Sequence, residues 1–228
     1  MNKVQIKKES RFSRKIIVGR INRHLPFMRP FINLVRFFTF RKYCPSYPDS
    51  QASYSDGPWI DRKVTKDQAA IEEYVFQKDL RGARILHVGI GSSSIAKKCG
   101  EIQKCSVDGI TVMQAEKKHA DDLNIKDYDV FILNKNDPKL LLALPGNYKY
   151  IIDNDIASYA CCKAHFEEML KTYLSMLSSG GEILTGKISI GYFDSGFPLP
   201  KFYLKSLFLK YGCAFTEKKG LIAITRNK

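Results

Sequence analysis

The stretch that decides the fold is Ala83–Ser94, with the sequence ARILHVGIGSSS. Its apolar, β-branched run Ile85–Val88 ends in Gly89-Ile90-Gly91, and small hydroxyl residues follow. Such a pattern predicts a buried strand, a tight turn and the start of a helix. Glycines let the backbone of the turn approach a ligand closely, and the free N–H groups of the helix start face the same point. The stretch therefore indicates a nucleotide-like cofactor in the middle of the chain.

The positive charge of the chain is concentrated near its N-terminus. The 228 residues carry a formal net charge of +14. Residues 1–45 hold twelve Lys and Arg against one acid, Glu9, which amounts to +11 and leaves +3 for residues 46–228. The basic character thus belongs to an N-terminal arm and not to the rest of the chain.

The arm becomes amphipathic from Ile16, where apolar and aromatic residues alternate with arginines. Four interpretations stay open for residues 16–42, and one of them is an organelle-targeting peptide, since the segment is rich in arginine and poor in acids. A basic, aromatic-rich segment can lie on an anionic membrane surface. It can also contact the phosphates of nucleic acid, which is the less favoured partner. It can equally pack on the rest of the chain or on a second copy in a homo-oligomer.

The rest of the composition indicates a cytoplasmic protein. No uninterrupted apolar core follows the basic start, and no run approaches the roughly 20 apolar residues of a membrane span. The six cysteines form no C-x-x-C pair and have no ligand spacing with histidine, so we expect free thiols and no metal site. A peripheral position at a membrane is the alternative that the arm leaves open.

Strands and helices are predicted to alternate after residue 65. Apolar runs mark the strands, and turn residues separate them from amphipathic stretches. This order predicts an α/β fold with a doubly wound, mostly parallel seven-stranded sheet and a C-terminal antiparallel hairpin. The predicted strands are 84–88, 106–112, 130–134, 148–153, 182–184, 214–218 and 221–226, and the main helices are 66–77, 92–98, 115–122, 139–144, 161–177 and 200–211.

The glycine turn departs from the dinucleotide-binding pattern, because Ser94 stands where that pattern has its third glycine. HVGIGSSS instead resembles the first motif of class I S-adenosylmethionine-dependent methyltransferases, and LSSGGEIL at residues 177–184 resembles their glycine turn before strand five. The resemblance covers residues 65–226 and implies S-adenosyl-L-methionine as cofactor. It divides the chain into a basic, amphipathic arm and connector, residues 1–64, and a methyltransferase domain, residues 65–228.

The resemblance also implies a set of cofactor-binding residues. At two of these positions this chain lacks the acidic residue that the family often has. His87 stands two residues before the first glycine, and Thr111 ends the second strand. In this respect the chain is similar to cyclopropane fatty acid synthases, in which a polar residue five positions on contacts the ribose. That residue is Glu116 here, although it can also be a plain helix N-terminal acid. The implied set is His87, Gly89, Ile90, Gly91, Ser92, Thr111, Glu116, Asn134 and Asp153.

Candidate catalytic residues follow the fourth strand, because ligands of doubly wound folds sit at the carboxyl ends of the strands. An enzyme that transfers a methyl group must position the acceptor, and a hydroxyl acceptor also needs a base. Asp155, Tyr159 and His165 are the candidates. Asp155 can instead cap a helix, and His165 can be a partly buried structural histidine.

These observations predict a methyltransferase that acts on a small-molecule or membrane-linked acceptor, such as a sugar, lipid or secondary metabolite. The motifs of enzymes that methylate adenine or cytosine bases are not evident. Residues 153–156 lack the proline and the aromatic residue of the N-P-P-[YF] motif, and the chain has no Pro-Cys pair. Two alternatives remain. One is an RNA methyltransferase whose arm binds phosphates, and the other is a non-catalytic methyltransferase-like subunit, which His87 and Thr111 keep open.

Overall fold

The computed structural model describes residues 29–40, 42, 57–61, 63–102, 105–137, 143–158, 160, 162–187 and 200–226. Most of the arm, most of the helix predicted at 139–144 and the candidate Tyr159 lie outside these residues. The described strands are β1 Arg84–Val88, β2 Ser106–Thr111, β3 Tyr128–Ile132, β4 Tyr148–Asp153, β5 Leu177–Gly186, β6 Cys213–Glu217 and β7 Leu221–Arg226. The described helices are α1 Arg29–Thr39, α2 Lys66–Phe76, α3 Ser94–Ile102, α4 Gln114–Asp122, α5 Lys163–Met176 and α6 Lys201–Lys210.

All seven strands join one sheet in the order β3-β2-β1-β4-β5-β7-β6. The first five strands are parallel, and β7 runs antiparallel between β5 and β6. The predicted doubly wound sheet with its C-terminal antiparallel hairpin is therefore confirmed. β1 lies in the interior of the sheet, between β2 and β4. The glycine turn that follows it therefore lies at the carboxyl ends of interior strands.

Apolar side chains cover both faces of the sheet. Successive residues of a strand point to opposite faces. Ile151 accordingly packs into the cluster that includes Phe166 of α5 and Phe208 of α6, whereas Ile152 packs into the cluster that includes Ile71 of α2. Helices thus lie on both faces, as the buried, β-branched strands require.

The Gly180-Gly181 pair, predicted as a turn before strand five, instead forms a bulge inside it. β5 begins at Leu177, directly after α5, and is much longer than predicted. Tyr148 pairs with Leu177 and Tyr150 already pairs with Glu182, so the chain between those partners bulges out. Gly180 has φ +66°, and a Cβ on Gly181 would lie 2.7 Å from the carbonyl oxygen of Tyr148. Glycine is needed at both positions for these steric reasons.

Helix α2 begins where its capping pattern predicts. The hydroxyl oxygen of Thr65 accepts a hydrogen bond from the backbone N–H of Gln68 at 3.2 Å. None of the helices in the described part of the chain has the length and apolar character that a membrane span requires.

Candidate active site

A cavity of about 340 Å³ opens at the carboxyl ends of β1, β2 and β4. Its wall consists of the glycine turn after β1, the start of α4, the segments after β3 and β4, and the residues that lead into α2. Ten of the predicted site residues line it: His87, Gly89, Ile90, Gly91, Ser92, Thr111, Glu116, Asn134, Asp153 and Asp155.

The glycine turn leaves the cavity open above its backbone. Gly89 and Gly91 have φ values of +72° and +51°, and a Cβ on either would have no heavy atom within 4 Å. The N–H of Gly89 donates to the carbonyl of Ile110 in β2 at 2.8 Å, which holds the turn against the neighbouring strand. Ser93 also has a positive φ, +58°, so α3 begins at Ser94 and not at the predicted residue 92. The turn is thus a fixed cradle that a ligand can approach closely.

Thr111 and Glu116 face the cavity as a hydrogen-bonded pair. The Thr111 hydroxyl donates to Oε2 of Glu116 at 2.5 Å and accepts from the N–H of Met113 at 3.1 Å. Both hydrogen-bonding roles of the hydroxyl are therefore used, and the carboxylate is held in one orientation. The other oxygen, Oε1, makes no hydrogen bond to the residues that the structure describes. Glu116 can accordingly accept hydrogen bonds from the hydroxyls of a ligand.

His87 is a buried, neutral group in the wall of the cavity. Its side chain is 3% exposed, and burial lowers its pKa to about 4, although the nearby carboxylate of Glu72 acts in the opposite direction. The imidazole is therefore uncharged at neutral pH. Its Nδ1 atom is buried and has no hydrogen-bond partner among the described residues. Buried polar atoms are almost always paired, so this atom marks a place for a polar group of a ligand.

Sequence reasoning missed Glu72, which fastens α2 to the glycine turn. Its carboxylate accepts from Ser94 at the start of α3 at 2.5 Å and from Gln68 at 3.1 Å, and it pairs with Lys98. Burial raises the pKa of Glu72, but the hydrogen bonds from Lys98, Ser94 and Gln68 outweigh it and leave the pKa below its usual value. The carboxylate therefore stays charged although it is buried. No local pattern could reveal this contact, because Glu72 and Ser94 are 22 residues apart in sequence.

Lys135 is the second residue that sequence reasoning missed. Its ammonium contacts both carboxylate oxygens of Asp153, at 2.8 and 3.1 Å, and donates to the carbonyl of Asp155 at 2.6 Å. Tyr173 of α5 donates to Oδ2 of Asp153 at 2.9 Å, and its pKa is raised by burial and by that carboxylate. Both oxygens of Asp153 are thus already hydrogen-bonded. Asp153 lines the cavity, but its carboxylate is held in a buried ion pair.

The far end of the cavity is built by residues that precede α2 and follow β4. Asn154 donates from Nδ2 to the hydroxyl oxygen of Thr65 at 3.1 Å, and its buried Oδ1 has no partner among the described residues. Asp155, Ser158 and Lys63 line the same end. Sequence reasoning singled out Asp155 alone, since contact between the connector and the end of β4 is a tertiary feature.

His165 lies on the first turns of α5 and does not line the cavity. Burial lowers its pKa, and Glu168 acts in the opposite direction. The structure therefore brings Asp155 to the cavity and leaves His165 outside the cavity wall. Within the described part of the chain, no cluster of three or more His, Cys, Asp or Glu side chains is arranged to hold a metal ion.

Comparison with known proteins finds similarity in structure and not in sequence. No protein-family model matches the chain. No curated protein matches it either.

Three solved structures illustrate the structural similarity. The N-methyltransferase NodS from Bradyrhizobium japonicum WM9, in complex with S-adenosyl-L-homocysteine, gives a TM-score of 0.54 at 12% identity, covering 72% of this chain and 88% of NodS. An rRNA methylase from Streptococcus thermophilus gives 0.50 at 10% identity, covering 73% and 100%. The [4+2]-cyclase SpnF gives 0.51 at 17% identity, covering 71% of this chain and 64% of the cyclase, which is less than two thirds of its length.

The strand order, the glycine turn after β1 and these similarities define the class of fold. The chain has the class I, Rossmann-like methyltransferase fold. Identities of this size define the fold alone, since one fold can carry several functions.

Proposed function

We propose that the protein is an S-adenosyl-L-methionine-dependent methyltransferase. The observation that carries the proposal is that two features line the same cavity. They are the open cradle of Gly89 and Gly91 and the oriented carboxylate of Glu116. A nucleoside with an amino-acid tail needs both a close backbone approach and an acceptor for its ribose hydroxyls.

The residues present fit this cofactor. Glu116 would accept hydrogen bonds from the ribose, and Asn134 would lie near the base. The orphan Nδ1 of His87 offers a partner for a polar group of the amino-acid tail. Because His87 is neutral, it adds no positive charge beside a cationic ligand. S-adenosyl-L-methionine supplies an activated methyl group on a sulfonium centre when it is bound.

The acceptor we propose is a small molecule or the end group of a membrane-linked one. The cavity volume of about 340 Å³ lies near the lower limit for ligand pockets and suits one nucleoside-sized ligand. The polar groups of Asn154, Asp155 and Ser158 suit a hydroxylated acceptor such as a sugar or polar lipid. Asp155 is the candidate base for the proton of such a hydroxyl, because it follows β4 and lines the cavity.

Two alternatives rest on particular observations. The similarity to an rRNA methylase and the +11 charge of residues 1–45 favour an RNA acceptor. The similarity to SpnF, a cyclase, favours a protein that uses this fold for something other than methyl transfer.

Isothermal titration calorimetry with S-adenosyl-L-methionine and S-adenosyl-L-homocysteine tests the cofactor. We expect saturable binding of both, and none of NAD, because Ser94 replaces the third glycine of the dinucleotide pattern. Failure of both compounds to bind at about 1 mM would contradict the proposal. Incubation with methyl-labelled cofactor and separate pools of lipids, RNA and small metabolites then identifies the acceptor class by where the label appears.

A further inference from the structure

Helices α1 and α6 contact each other through Phe37, and both leave large apolar side chains in solvent. Phe31 and Phe38 of α1 are 61% and 67% exposed, and Phe202 and Leu209 of α6 are 55% and 58% exposed. Exposed apolar residues that occur singly are ordinary, but a group on two adjacent helices indicates a contact surface. We call this group the apolar ridge, and it consists of Phe31, Leu34, Val35, Phe38, Phe202 and Leu209.

The ridge is held in place by the rest of the protein. Phe37 of α1 is buried, and its ring centroid lies 4.7 Å from that of Tyr203 and 5.9 Å from that of Phe202. The ammonium of Lys163 lies 4.2 Å from the same ring. The backbone N–H of Ala164 donates to the carbonyl of Lys42 at 3.1 Å, just beyond the end of α1. Helix α1 is therefore docked through Phe37, and its ridge residues do not form the contact with the core.

The spacing of the ridge residues on α1 explains their exposure. Positions 31, 34, 35 and 38 follow the i, i+3, i+4, i+7 pattern that defines one face of a helix. Such a face normally packs into the core of a protein. Here the core contact is made by Phe37, which lies on a different face, so α1 has a second apolar face that points outward.

The two helices are also entirely basic in their ionic composition. Together they contain two arginines and three lysines and no Asp or Glu. Lys201 pairs with Glu217 and Lys210 with Glu167, whereas Lys205 is exposed on the same side of α6 as Phe202 and Leu209. Residues 1–45, which include α1, carry a net +11. The two helices therefore bring cationic and no anionic side chains to the ridge, although two of their lysines are paired with glutamates.

We propose that the apolar ridge docks on an anionic membrane surface. Its phenyl and aliphatic side chains would enter the boundary between headgroups and acyl chains, while the basic residues lie near the headgroup phosphates. A second copy of the chain is a poorer partner, because two arms of +11 would approach each other. RNA is also a poorer partner, because its phosphates cannot bury Leu34, Val35 and Leu209. The proposal does not depend on the methyltransferase proposal.

Flotation of the full chain with lipid vesicles tests the docking surface, with no cofactor added. We expect the protein to float with phosphatidylcholine vesicles that contain phosphatidylglycerol, and much less with phosphatidylcholine alone. The partition coefficient should fall about tenfold when salt is raised from about 0.1 M to about 0.5 M, because exposed charges are screened. The double variant Phe31→Ser/Phe38→Ser should reduce binding about tenfold or more.

Matched variants separate the ridge from general hydrophobicity and charge. Ile60 is also an exposed large apolar residue, but it lies beside Trp59, which stacks on His119 of α4. Ile60→Ser should therefore leave flotation unchanged. Lys205→Glu on α6 should weaken binding to anionic vesicles, whereas Lys118→Glu on the exposed side of α4 should not. All five substituted residues are exposed, and thermal unfolding should give similar midpoints for the four variants and the parent.

Three outcomes would overturn the proposal. The first is that the parent chain does not float, and the second is that the ridge variants float as well as the parent. The third is that another partner binds the ridge. A second copy would appear as a dimer in sedimentation equilibrium. RNA would appear as binding that Phe31→Ser/Phe38→Ser abolishes while flotation persists.

Discussion

Glu116 and Asp153 are two of the carboxylates that line the cavity, and they differ in what they already bind. Glu116, after β2, accepts one hydrogen bond from Thr111 at Oε2, and its Oε1 makes no hydrogen bond to the residues that the structure describes. Asp153, at the end of β4, is held by the ammonium of Lys135 and the hydroxyl of Tyr173. The comparison teaches that a carboxylate at a strand end is available to a ligand only when the fold has not already paired it. Glu116 is thus the stronger candidate for binding a ligand, whereas Asp153 stays a predicted cofactor-binding residue whose carboxylate is already paired.

Loss of Lys135 should have the largest effect. Lys135→Met leaves Asp153 buried without its cation, which we expect to reduce the free energy of unfolding by about 3–5 kcal/mol in urea. The double variant Lys135→Met/Asp153→Leu should recover part of this loss, because no unpaired charge then remains. Lys117→Met, which breaks the surface pair with Asp121, should cost less than about 1 kcal/mol. Equal losses for the two lysines would show that Asp153 is not a structural group.

The glycine cradle should be the next most sensitive feature. Gly91→Ala places a methyl group in a backbone conformation with φ +51° and at the open side of the turn. We expect S-adenosyl-L-homocysteine binding to weaken at least about tenfold, beyond a stability loss of about 1–2 kcal/mol.

Gly82 provides the matched control for this change. It has φ +69° and equally open surroundings, but it precedes β1 and does not line the cavity. Gly82→Ala should lose similar stability and retain affinity for the ligand. An equal loss of affinity in both variants would mean that strain alone, and not access to the cradle, controls binding.

Glu116→Ala tests whether the carboxylate of Glu116, unlike that of Asp153, is available to a ligand. Its removal should weaken cofactor binding by about 1–3 kcal/mol in calorimetry, because a carboxylate that accepts ribose hydroxyls is lost. Glu116→Gln should retain part of the affinity, since the amide oxygen still accepts one hydrogen bond. Asp122→Ala, at the exposed end of α4, is the control and should bind normally. Unchanged affinity in Glu116→Ala would remove the ribose assignment.

Burial of neutral His87 should appear in the pH dependence of stability. Its pKa falls from 6.5 to about 4 on folding, so below pH 6.5 the unfolded chain binds a proton that the folded chain does not. The free energy of unfolding should therefore decrease as pH falls from 6.5 towards 4, by about 2 kcal/mol at pH 5.

His87→Gln should remove the part of this decrease that belongs to His87. It should retain the part that belongs to His165 and the loss at lower pH that belongs to Glu72, since the pKa values of both are also lowered. Stability that stays flat between pH 6.5 and 5 in the parent chain would show that the imidazole is accessible to protons. An NMR titration of His87 measures the same pKa directly.

The smallest effect is expected at His165. The side chain lies outside the cavity wall, so His165→Ala should change cofactor affinity and methyl transfer less than about twofold. Asp155→Ala is the comparison, because Asp155 lines the cavity, and it should lower methyl transfer to a hydroxyl acceptor. A large loss of activity in His165→Ala with intact cofactor binding would restore the predicted catalytic role of this histidine.

Local patterns predicted most of the fold. β1, β4 and β7 have the bounds that their apolar runs predict, because the sheet buries these residues. The pattern also predicted the glycine turn, whereas Glu116 was implied only by the resemblance, and its hydrogen bond with Thr111 was not predicted. The bulge in β5 was not, because Gly180-Gly181 is equally compatible with a turn.

What the sequence by itself determined is the order of strands and helices, the cradle at Gly89 and Gly91, and the concentration of positive charge in the arm. Only the tertiary structure decided which polar groups at the cavity are free. Lys135 follows β3 at the edge of the sheet, yet it binds Asp153 beyond β2 and β1 in the strand order. Such a contact depends on where distant segments meet in three dimensions. No local spacing encodes it, because hydrogen bonds and ion pairs form between neighbours in space and not between neighbours in sequence.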